Sequence, residues 1–240
     1  MLSLRLNRGL QPDSYRPVFK SHRRLHIPGI LDAASAAALH ALVAGPNEWT
    51  RSVHLAAGQD VDILVSELEA LTPEQRAEFE RSLVDSSSES LKYVFDTVRI
   101  SSELDGGRPV SAPMRSLHDF VNGPAFLDFF RRLTGDDRVA FADVMATRYL
   151  PGHFAGAHGD HIPGQHRLYA YVLNLTPDWR ADWGGVLMFQ DEDGHIAEGY
   201  TPKFNALNVF AVPQTHAVSM VTRLARAPRL SVTGWIHARD

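Results

Sequence analysis

The sequence of 240 residues contains no cysteine. Disulfide bonds, thiolate metal sites and cysteine nucleophiles are therefore all excluded. No apolar run approaches the ~18 residues that suggest a membrane-spanning helix, and the N-terminus lacks the apolar core of a secretory signal. We accordingly expect a cytoplasmic protein that does not use a membrane as a partner.

The chain also lacks an excess of positive charge. It has 24 lysine and arginine residues against 28 aspartate and glutamate residues, for a net charge of −4. This balance argues against a nucleic-acid-binding surface across the whole molecule. Only the first 24 residues are locally basic, and we expect them to form a solvated, partly ordered arm rather than a docking segment for an acidic partner.

Helical signals dominate the N-terminal part of the sequence. Asp32 can cap an alanine-rich helix that reaches Val43. Further along, Thr72 and Gln75 form a capping box with a proline between them, which predicts a helix that continues to about Leu83.

From Phe141 onward the sequence changes to short apolar or alternating runs separated by Gly, Pro and Asp. Short strands at regular spacing indicate an all-β barrel or sandwich rather than βαβ units. The predicted strands are 141–150, 167–175, 185–190, 206–212, 216–223 and 229–237.

This pattern predicts two regions of one domain, because no linker rich in Pro, Gly or Ser separates them. Residues 1–92 are expected to be a mainly helical support region packed on the core. Residues 93–240 are expected to form a β catalytic core, which opens with a strand at 93–100 and includes two helical segments over 112–134. The predicted fold class is therefore α+β, mainly β with N-terminal helices.

Three residues form a candidate metal-ligand set. His158 and Asp160 are two positions apart, so on an extended segment both side chains leave the same face. The pair alone is weak evidence, because chance produces about one such match in a chain of this composition and a glycine-rich turn is the alternative. His216 is the candidate third ligand, although a histidine beside an apolar strand can equally be structural. Two imidazoles and one carboxylate are the ligand set of mononuclear iron(II) oxygenases.

The C-terminal run alternates in character. Its odd positions carry Arg229, Ser231, Thr233 and Trp235, whereas its even positions are mostly aliphatic, so the two sets lie on opposite faces of a strand. The polar face would meet solvent on an ordinary amphipathic strand but would line the cavity of a barrel. A buried guanidinium needs a carboxylate partner, and the distal carboxylate of a 2-oxo diacid would meet that need, with one more hydrogen bond from Ser231.

Four ordered segments resemble the prolyl 4-hydroxylase type of iron(II)/2-oxoglutarate dioxygenases. The segments are TRYLPGHFAGAHGD at 147–160, RLYAYVLN at 167–174, WGGVLMF at 183–189 and RLSVTGWIH at 229–237. The last is especially similar to the branch that hydroxylates a proline of a small-subunit ribosomal protein. The resemblance extends over about 141–238 and implies a double-stranded β-helix, or jelly roll, as the core.

The resemblance also implies roles for single residues. His158, Asp160 and His216 would bind iron(II), and Arg229, helped by Ser231, would pair with the distal carboxylate of 2-oxoglutarate.

Two tyrosines and a tryptophan are further candidates for the same pocket. Tyr149 resembles a family tyrosine whose hydroxyl contacts the cosubstrate. Tyr171 is a second such candidate, with a one-residue shift or a place in the core as alternatives. Trp235 would wall the pocket.

Two departures from the family pattern leave alternatives open. The 13 positions between His216 and Arg229 exceed the common spacing, so a bulge or loop is expected between them, and Arg223 or Arg226 would replace Arg229 if it were displaced. His161 could compete for the metal or contact substrate, but a solvated loop residue is the simpler interpretation.

The implied reaction is hydroxylation of a C–H bond, coupled to conversion of 2-oxoglutarate and dioxygen into succinate and carbon dioxide, with ascorbate as a candidate reductant. The branch resemblance implies a prolyl residue in a protein, ribosomal proteins included, as the substrate. A hydroxylase of a free amino acid or small metabolite, and a cupin-like metal-binding barrel that does not use 2-oxoglutarate, are the alternatives.

Overall fold

The computed structural model describes residues 2–54, 60–87 and 93–239. Within these residues the helices are α1 (Pro12–His22), α2 (Ala33–Ala44), α3 (Val65–Glu69), α4 (Pro73–Ser87), α5 (Ile100–Asp105), α6 (Ala112–Val121) and α7 (Pro124–Thr134), with one 3₁₀ turn at Ala181–Trp183.

Thirteen strands of the described residues join one sheet. They are β1 (Arg24–Pro28), β2 (Thr50–His54), β3 (Asp60–Leu64), β4 (Tyr93–Val98), β5 (Val139–Ala142), β6 (Met145–Tyr149), β7 (Phe154–His158), β8 (Arg167–Asn174), β9 (Leu187–Gln190), β10 (Ile196–Tyr200), β11 (Ala206–Ala211), β12 (His216–Val218) and β13 (Arg229–Ala238).

The strands curl into a nearly closed antiparallel barrel. Their order is β1-β11-β8-β13-β6-β4-β7-β12-β9-β10, with β2 and β3 added beside β4, and β5 beside β13. β4 turns the corner, because it pairs with β6 through one part of its length and with β7 through another. The two ends of the path are joined by side chains, through an ion pair of 2.6 Å between Arg24 and Glu198. The predicted mainly β fold of the jelly-roll type is confirmed.

Alternation along β13 decides what faces the interior of the barrel. Its residues Ser231 and Val232 stand opposite residues of β6 and β8 in register, and their side chains leave opposite faces of the sheet. Val232 and Ile236 are at most 1% exposed and belong to one apolar core with Leu117, Phe126 and Phe130 of α6 and α7. The helices therefore cover the aliphatic face, and the polar face is directed into the barrel.

The predicted starts of α2 and α4 agree with the structure. The Asp32 side chain accepts a hydrogen bond of 2.7 Å from the backbone N–H of Ser35 at the start of α2. The capping box at the start of α4 is formed in both directions, between Thr72 and Gln75. α4 continues to Ser87, past the predicted end.

The N-terminal part differs from its prediction in two respects. It contributes β1, β2 and β3 to the sheet in addition to its helices. The expected partly ordered arm is wrong, because residues 12–22 form α1, which packs on α7. Phe19 is buried against Tyr169, with ring centroids 5.6 Å apart, and Asp13 pairs with Arg132 of α7. The basic residues favoured the prediction of an arm, but part of this segment forms an amphipathic helix.

The β-rich half also contains strands that the sequence did not reveal. β10 lies in a run that the prediction left unassigned, and β12 ends at Val218 instead of 223. A loop from 219 to 228 joins β12 to β13, as the long spacing between His216 and Arg229 predicted. The division of the chain at residues 92 and 93 stays a prediction. No helix of the described residues has the length and apolar character to cross a bilayer.

Candidate active site

The structure brings the three candidate metal ligands together. β7 and β12 pair so that His158 stands directly opposite His216. The Asp160 carboxylate, just past the end of β7, lies 3.7 Å from His158 Nε2 and 3.5 Å from His216 Nε2. One ligand atom from each residue falls within 4.8 Å of the others. Ligands about 2.1 Å from one metal are about 3 Å apart in adjacent positions, so a small adjustment would let these atoms share one ion.

Both imidazoles are held in the tautomer that a metal requires. Nδ1 of His158 lies 2.8 Å from the Gly156 carbonyl, and Nδ1 of His216 lies 2.9 Å from the Gln214 carbonyl. A carbonyl only accepts, so each Nδ1 carries the proton and each Nε2 offers its lone pair toward Asp160. Burial lowers the pKa of His216, although the Asp160 carboxylate opposes this shift. The lowered pKa keeps the imidazole neutral and able to bind a metal.

Among the described residues, Arg229 is buried in the barrel without a charge partner. It is 2% exposed, and its guanidinium lies 5.0 Å from the ring centroid of Tyr149. Its Nη1 donates a long hydrogen bond of 3.4 Å to Ser231 Oγ. Within the described chain its Nε has no partner and no carboxylate is placed to neutralise it. A buried unpaired cation is costly, so the position fits the distal carboxylate of 2-oxoglutarate. Arg223 and Arg226, its candidate replacements, are exposed.

A row of buried polar side chains, here called the polar belt, crosses four neighbouring strands beside Arg229. Thr97, Thr147, Ser231 and Asn174 stand opposite one another in register, and each is at most 2% exposed. The hydroxyls of Thr147 and Ser231 are 2.7 Å apart. In the described part of the molecule, Thr97 Oγ1 and Asn174 Oδ1 have no partner. The belt therefore has unused hydrogen-bonding capacity that faces the barrel interior.

Sequence reasoning found only Ser231 in this row. The other three lie within segments read as ordinary strands, and their common level depends on the register between strands. No spacing within the sequence carries that information.

The two candidate tyrosines lie on opposite sides of the sheet. Tyr149 stands opposite Arg229 in register and stacks on Phe95 with ring centroids 5.1 Å apart. Burial raises its pKa to about 12, so its hydroxyl remains a neutral donor beside the cosubstrate pocket.

Tyr171 faces the helices, which corrects its assignment to the pocket. Its ring packs against Phe126 and Phe130 of α7, and its hydroxyl donates to the Asp143 carbonyl at 2.7 Å. In register it stands opposite Gly234, whereas Asn174 stands opposite Ser231. Strand alternation therefore excludes Tyr171 from the interior and makes Asn174 the polar residue that β8 directs inward.

Trp235 and Arg167 form the rim between the metal ligands and the outside. The Arg167 guanidinium lies 3.6 Å from the Trp235 ring centroid and donates a hydrogen bond of 3.1 Å to the main-chain carbonyl of Asp160. His161 is exposed and is not part of the ligand cluster, which agrees with the solvated-loop interpretation.

One glycine leaves room for Arg229. Gly185 has positive φ, and a Cβ atom there would lie 2.7 Å from Cδ of Arg229. Only glycine fits here without displacing the arginine.

Comparison with known proteins identifies the β-rich half. The profile of the 2OG-Fe(II) oxygenase superfamily matches residues 144–237. This part of the chain is a 2OG-Fe(II) oxygenase domain. Among curated proteins, the chain is similar to prolyl 3-hydroxylase OGFOD1 of Mus musculus, at 30% identity over 119 residues, or 47% of this chain and 21% of that protein. The Xenopus laevis protein of the same name is 29% identical over 47% of this chain and 23% of its own length. The match spans about a fifth of these relatives.

Solved structures share the fold of nearly the whole chain. A 2OG-Fe(II) oxygenase family protein from Burkholderia pseudomallei has a TM-score of 0.64 at 15% identity, covering 98% of this chain and 94% of the other. A Pseudomonas putida prolyl-4-hydroxylase has a TM-score of 0.57 at 18% identity, covering 98% of both chains. At these identities the similarity demonstrates the fold.

Proposed function

We propose that this protein is an iron(II)- and 2-oxoglutarate-dependent dioxygenase that hydroxylates a prolyl residue in a polypeptide. The buried, unpaired Arg229 carries the proposal. A cupin-like metal-binding barrel would have no use for such a cation, whereas a 2-oxo diacid that reaches from the metal to Arg229 neutralises it.

The residues of the site suit the parts of this reaction. His158, Asp160 and His216 would hold iron(II) through two neutral Nε2 atoms and a carboxylate, leaving positions open for the cosubstrate and dioxygen. The bound iron supplies activation of dioxygen, and the balanced reaction converts substrate, 2-oxoglutarate and dioxygen into hydroxylated substrate, succinate and carbon dioxide.

The remaining groups position the cosubstrate. Arg229 would bind the distal carboxylate, Ser231 would donate a hydroxyl hydrogen bond to it, and Tyr149 would contribute a neutral phenol from the facing strand. Because these groups lie on strands of a rigid barrel, the cosubstrate is oriented before substrate binds.

The substrate class is supported by the relatives. The curated relatives are named prolyl 3-hydroxylases, and one structure of similar fold is a prolyl-4-hydroxylase. We propose a prolyl residue of a protein, with ribosomal proteins as the first candidates. Ascorbate as reductant and the cytoplasm as location belong to the same proposal.

Two measurements test this function. Anaerobic addition of iron(II) and 2-oxoglutarate should produce a weak visible charge-transfer band, which Arg229→Ala should abolish at the same concentrations while Arg223→Ala, an exposed control, retains it. Mass spectrometry of the host proteome with and without the gene should then reveal a +16 Da difference on proline. An unchanged band in Arg229→Ala would contradict the cosubstrate assignment, and a difference confined to small metabolites would replace the polypeptide substrate.

A further inference from the structure

A cleft of about 600 Å³ lies next to Arg167, which contacts the main chain of the candidate metal ligand Asp160. Its walls are α5, the corner between β5 and β6, the loop before β8 and the end of β13. Volumes of this size accommodate a ligand larger than a single amino acid. The cleft therefore has room for more than the residue that reacts.

One residue connects the cleft with the metal site. Trp235 and Arg167 line the cleft, and Arg167 also donates to the main-chain carbonyl of Asp160. Trp235 Nε1 and Arg167 Nε are both buried and have no partner in the described structure. Two unused N–H donors at this junction call for acceptors from a ligand, and main-chain carbonyls of a polypeptide supply them.

An exposed aromatic ring forms part of the cleft wall. Phe141 is 43% exposed, and its ring stacks on the imidazole of His237 with centroids 4.6 Å apart and planes within 4°. The two residues are cross-strand partners of β5 and β13. Exposed aromatic rings with a fixed orientation contact ligands at low cost in side-chain entropy.

The support beneath this ring is rigid. His237 Nε2 lies 2.8 Å from the Asp143 carboxylate. The main chain of Asp143 is fixed in turn, since its N–H donates to the Trp235 carbonyl and its carbonyl accepts from the Tyr171 hydroxyl. A Cβ atom on Gly234 would lie 2.0 Å from that carbonyl, so the strands pack without any gap. The hydroxyl of Tyr171 thus stabilises the wall of the cleft and does not contact the cosubstrate.

The charges around the cleft suit a polypeptide better than a polyanion. The cleft is lined by two carboxylates, Asp105 and Asp143, and by three guanidinium groups, Arg99, Arg167 and Arg239. Arg99 is already paired with Asp62. The two carboxylates would repel the phosphates of a nucleic acid. A peptide chain offers both N–H donors and carbonyl acceptors, which can pair with carboxylates and guanidinium groups.

We propose that the cleft binds the polypeptide segment next to the hydroxylated residue, with the Phe141–His237 stack as a contact surface for that segment. The proposal rests on the proposed function and adds to it that recognition extends beyond the reacting residue. A free amino acid could reach the metal without touching Phe141, so the stack would select polypeptides over single amino acids.

The test uses the full-length protein and two synthetic probes: a 15-residue peptide centred on the proline that the proteome comparison identifies, and a tripeptide with the same proline at its centre. Phe141→Ala should raise the KM for the 15-residue peptide by about tenfold, in the range of a contact residue at an interface, with kcat within about twofold. Phe141→Tyr should behave like the wild type. Val18→Ala, a substitution at a similarly exposed site on α1, is the matched control.

Binding without turnover gives a second readout. Anisotropy of the labelled 15-residue peptide, with manganese(II) and 2-oxoglutarate under anaerobic conditions, should show the same loss in Phe141→Ala, while the iron(II)–2-oxoglutarate band stays unchanged.

The outcomes separate this proposal from the one on which it rests. Equal KM values for wild type and Phe141→Ala, or equal efficiency on the tripeptide and the long peptide, would overturn the cleft assignment and leave the proposed function intact. If no proline in the host proteome gains 16 Da, the prolyl hydroxylase function fails, and the cleft proposal fails with it.

Discussion

A Cβ atom built on Gly185 would lie 2.7 Å from Cδ of Arg229. The glycine thus fixes where the buried guanidinium can rest, although it has no functional group of its own. A residue without a side chain therefore belongs to the proposed cosubstrate pocket as much as the arginine that it accommodates.

We expect Gly185→Ala to weaken 2-oxoglutarate binding by about tenfold or more, because the new methyl group displaces Arg229. Positive φ adds about 1 kcal/mol of backbone strain. Gly194→Ala is the matched control, since Gly194 also has positive φ but its Cβ would meet nothing within 4 Å. Titration with 2-oxoglutarate and thermal unfolding of both variants separate the two effects. Equal cosubstrate affinity in the two variants would contradict the steric argument.

The polar belt predicts that a single substitution will raise the stability of the ligand-free protein and weaken its binding of 2-oxoglutarate. Thr97→Val removes a buried hydroxyl that has no partner in the described structure, so the ligand-free protein should gain up to about 1 kcal/mol of stability. The same variant should bind 2-oxoglutarate several-fold more weakly if the cosubstrate uses that hydroxyl.

Thr134→Val gives the control for the belt. The Thr134 hydroxyl donates to the Phe130 carbonyl at 2.7 Å, far from the pocket. This variant should lose about 1 kcal/mol and keep its 2-oxoglutarate affinity. Urea unfolding and calorimetric titration measure both quantities. A destabilised Thr97→Val protein with normal affinity would exclude Thr97 from the pocket.

The docking of α1 predicts a large effect from one buried ring. Phe19→Ala should lower the free energy of unfolding by about 3 kcal/mol, because the ring is 4% exposed and packs in the main core. Val18→Ala on the exposed face should change it by less than about 0.5 kcal/mol. Urea unfolding gives both values. If residues 12–22 were a loosely attached arm, the two variants would be alike.

Asp136 predicts a pH-dependent contribution to stability. Hydrogen bonding to Arg138, aided by Tyr169, lowers the pKa of Asp136 to about 2. A carboxyl with a lowered folded-state pKa stabilises the protein above its unfolded pKa of about 3.9 and loses that contribution as the pH falls toward 2. Asp136→Asn should therefore cost about 1 kcal/mol at pH 7, after allowance for solvent screening, and progressively less below pH 4. Urea unfolding series at pH 7 to 3 measure this change, with Asp137→Asn at the exposed neighbouring position as the matched control.

Local signals predicted much of the fold. The Asp32 cap predicted the start of α2, the capping box predicted the start of α4, and two helical segments, α6 and α7, lie within 112–134 as expected. These features depend on neighbours within one helical turn. The packing of α1 depends on α7, far along the chain, and no local signal in the sequence indicates it. β10 forms a local hairpin with β9, but the prediction left its run of residues unassigned.

The candidate site divides in the same way. His158, Asp160, His216, Arg229, Ser231 and Tyr149 were found through a resemblance of ordered segments. The structure brings the first three together and places the last three on the paired strands β6 and β13. Tyr171 was misplaced because its neighbours in sequence do not reveal which face of β8 is buried beneath helices. The sequence analysis missed Asn174, Thr97 and Thr147 for a related reason. Their alignment beside Ser231 depends on how their strands pair with one another.

The sequence by itself determined the chemistry available to this protein: no thiols, two imidazoles and a carboxylate with metal-ligand character, and a strand that alternates between polar and aliphatic residues. Tertiary structure alone decided which of these groups meet. Strand register placed His158 opposite His216 and aligned four polar side chains at one level, and barrel closure buried Arg229 away from any carboxylate of the described chain. Register is set by packing between distant segments, and a shift of one residue would turn every side chain of a strand to the other face.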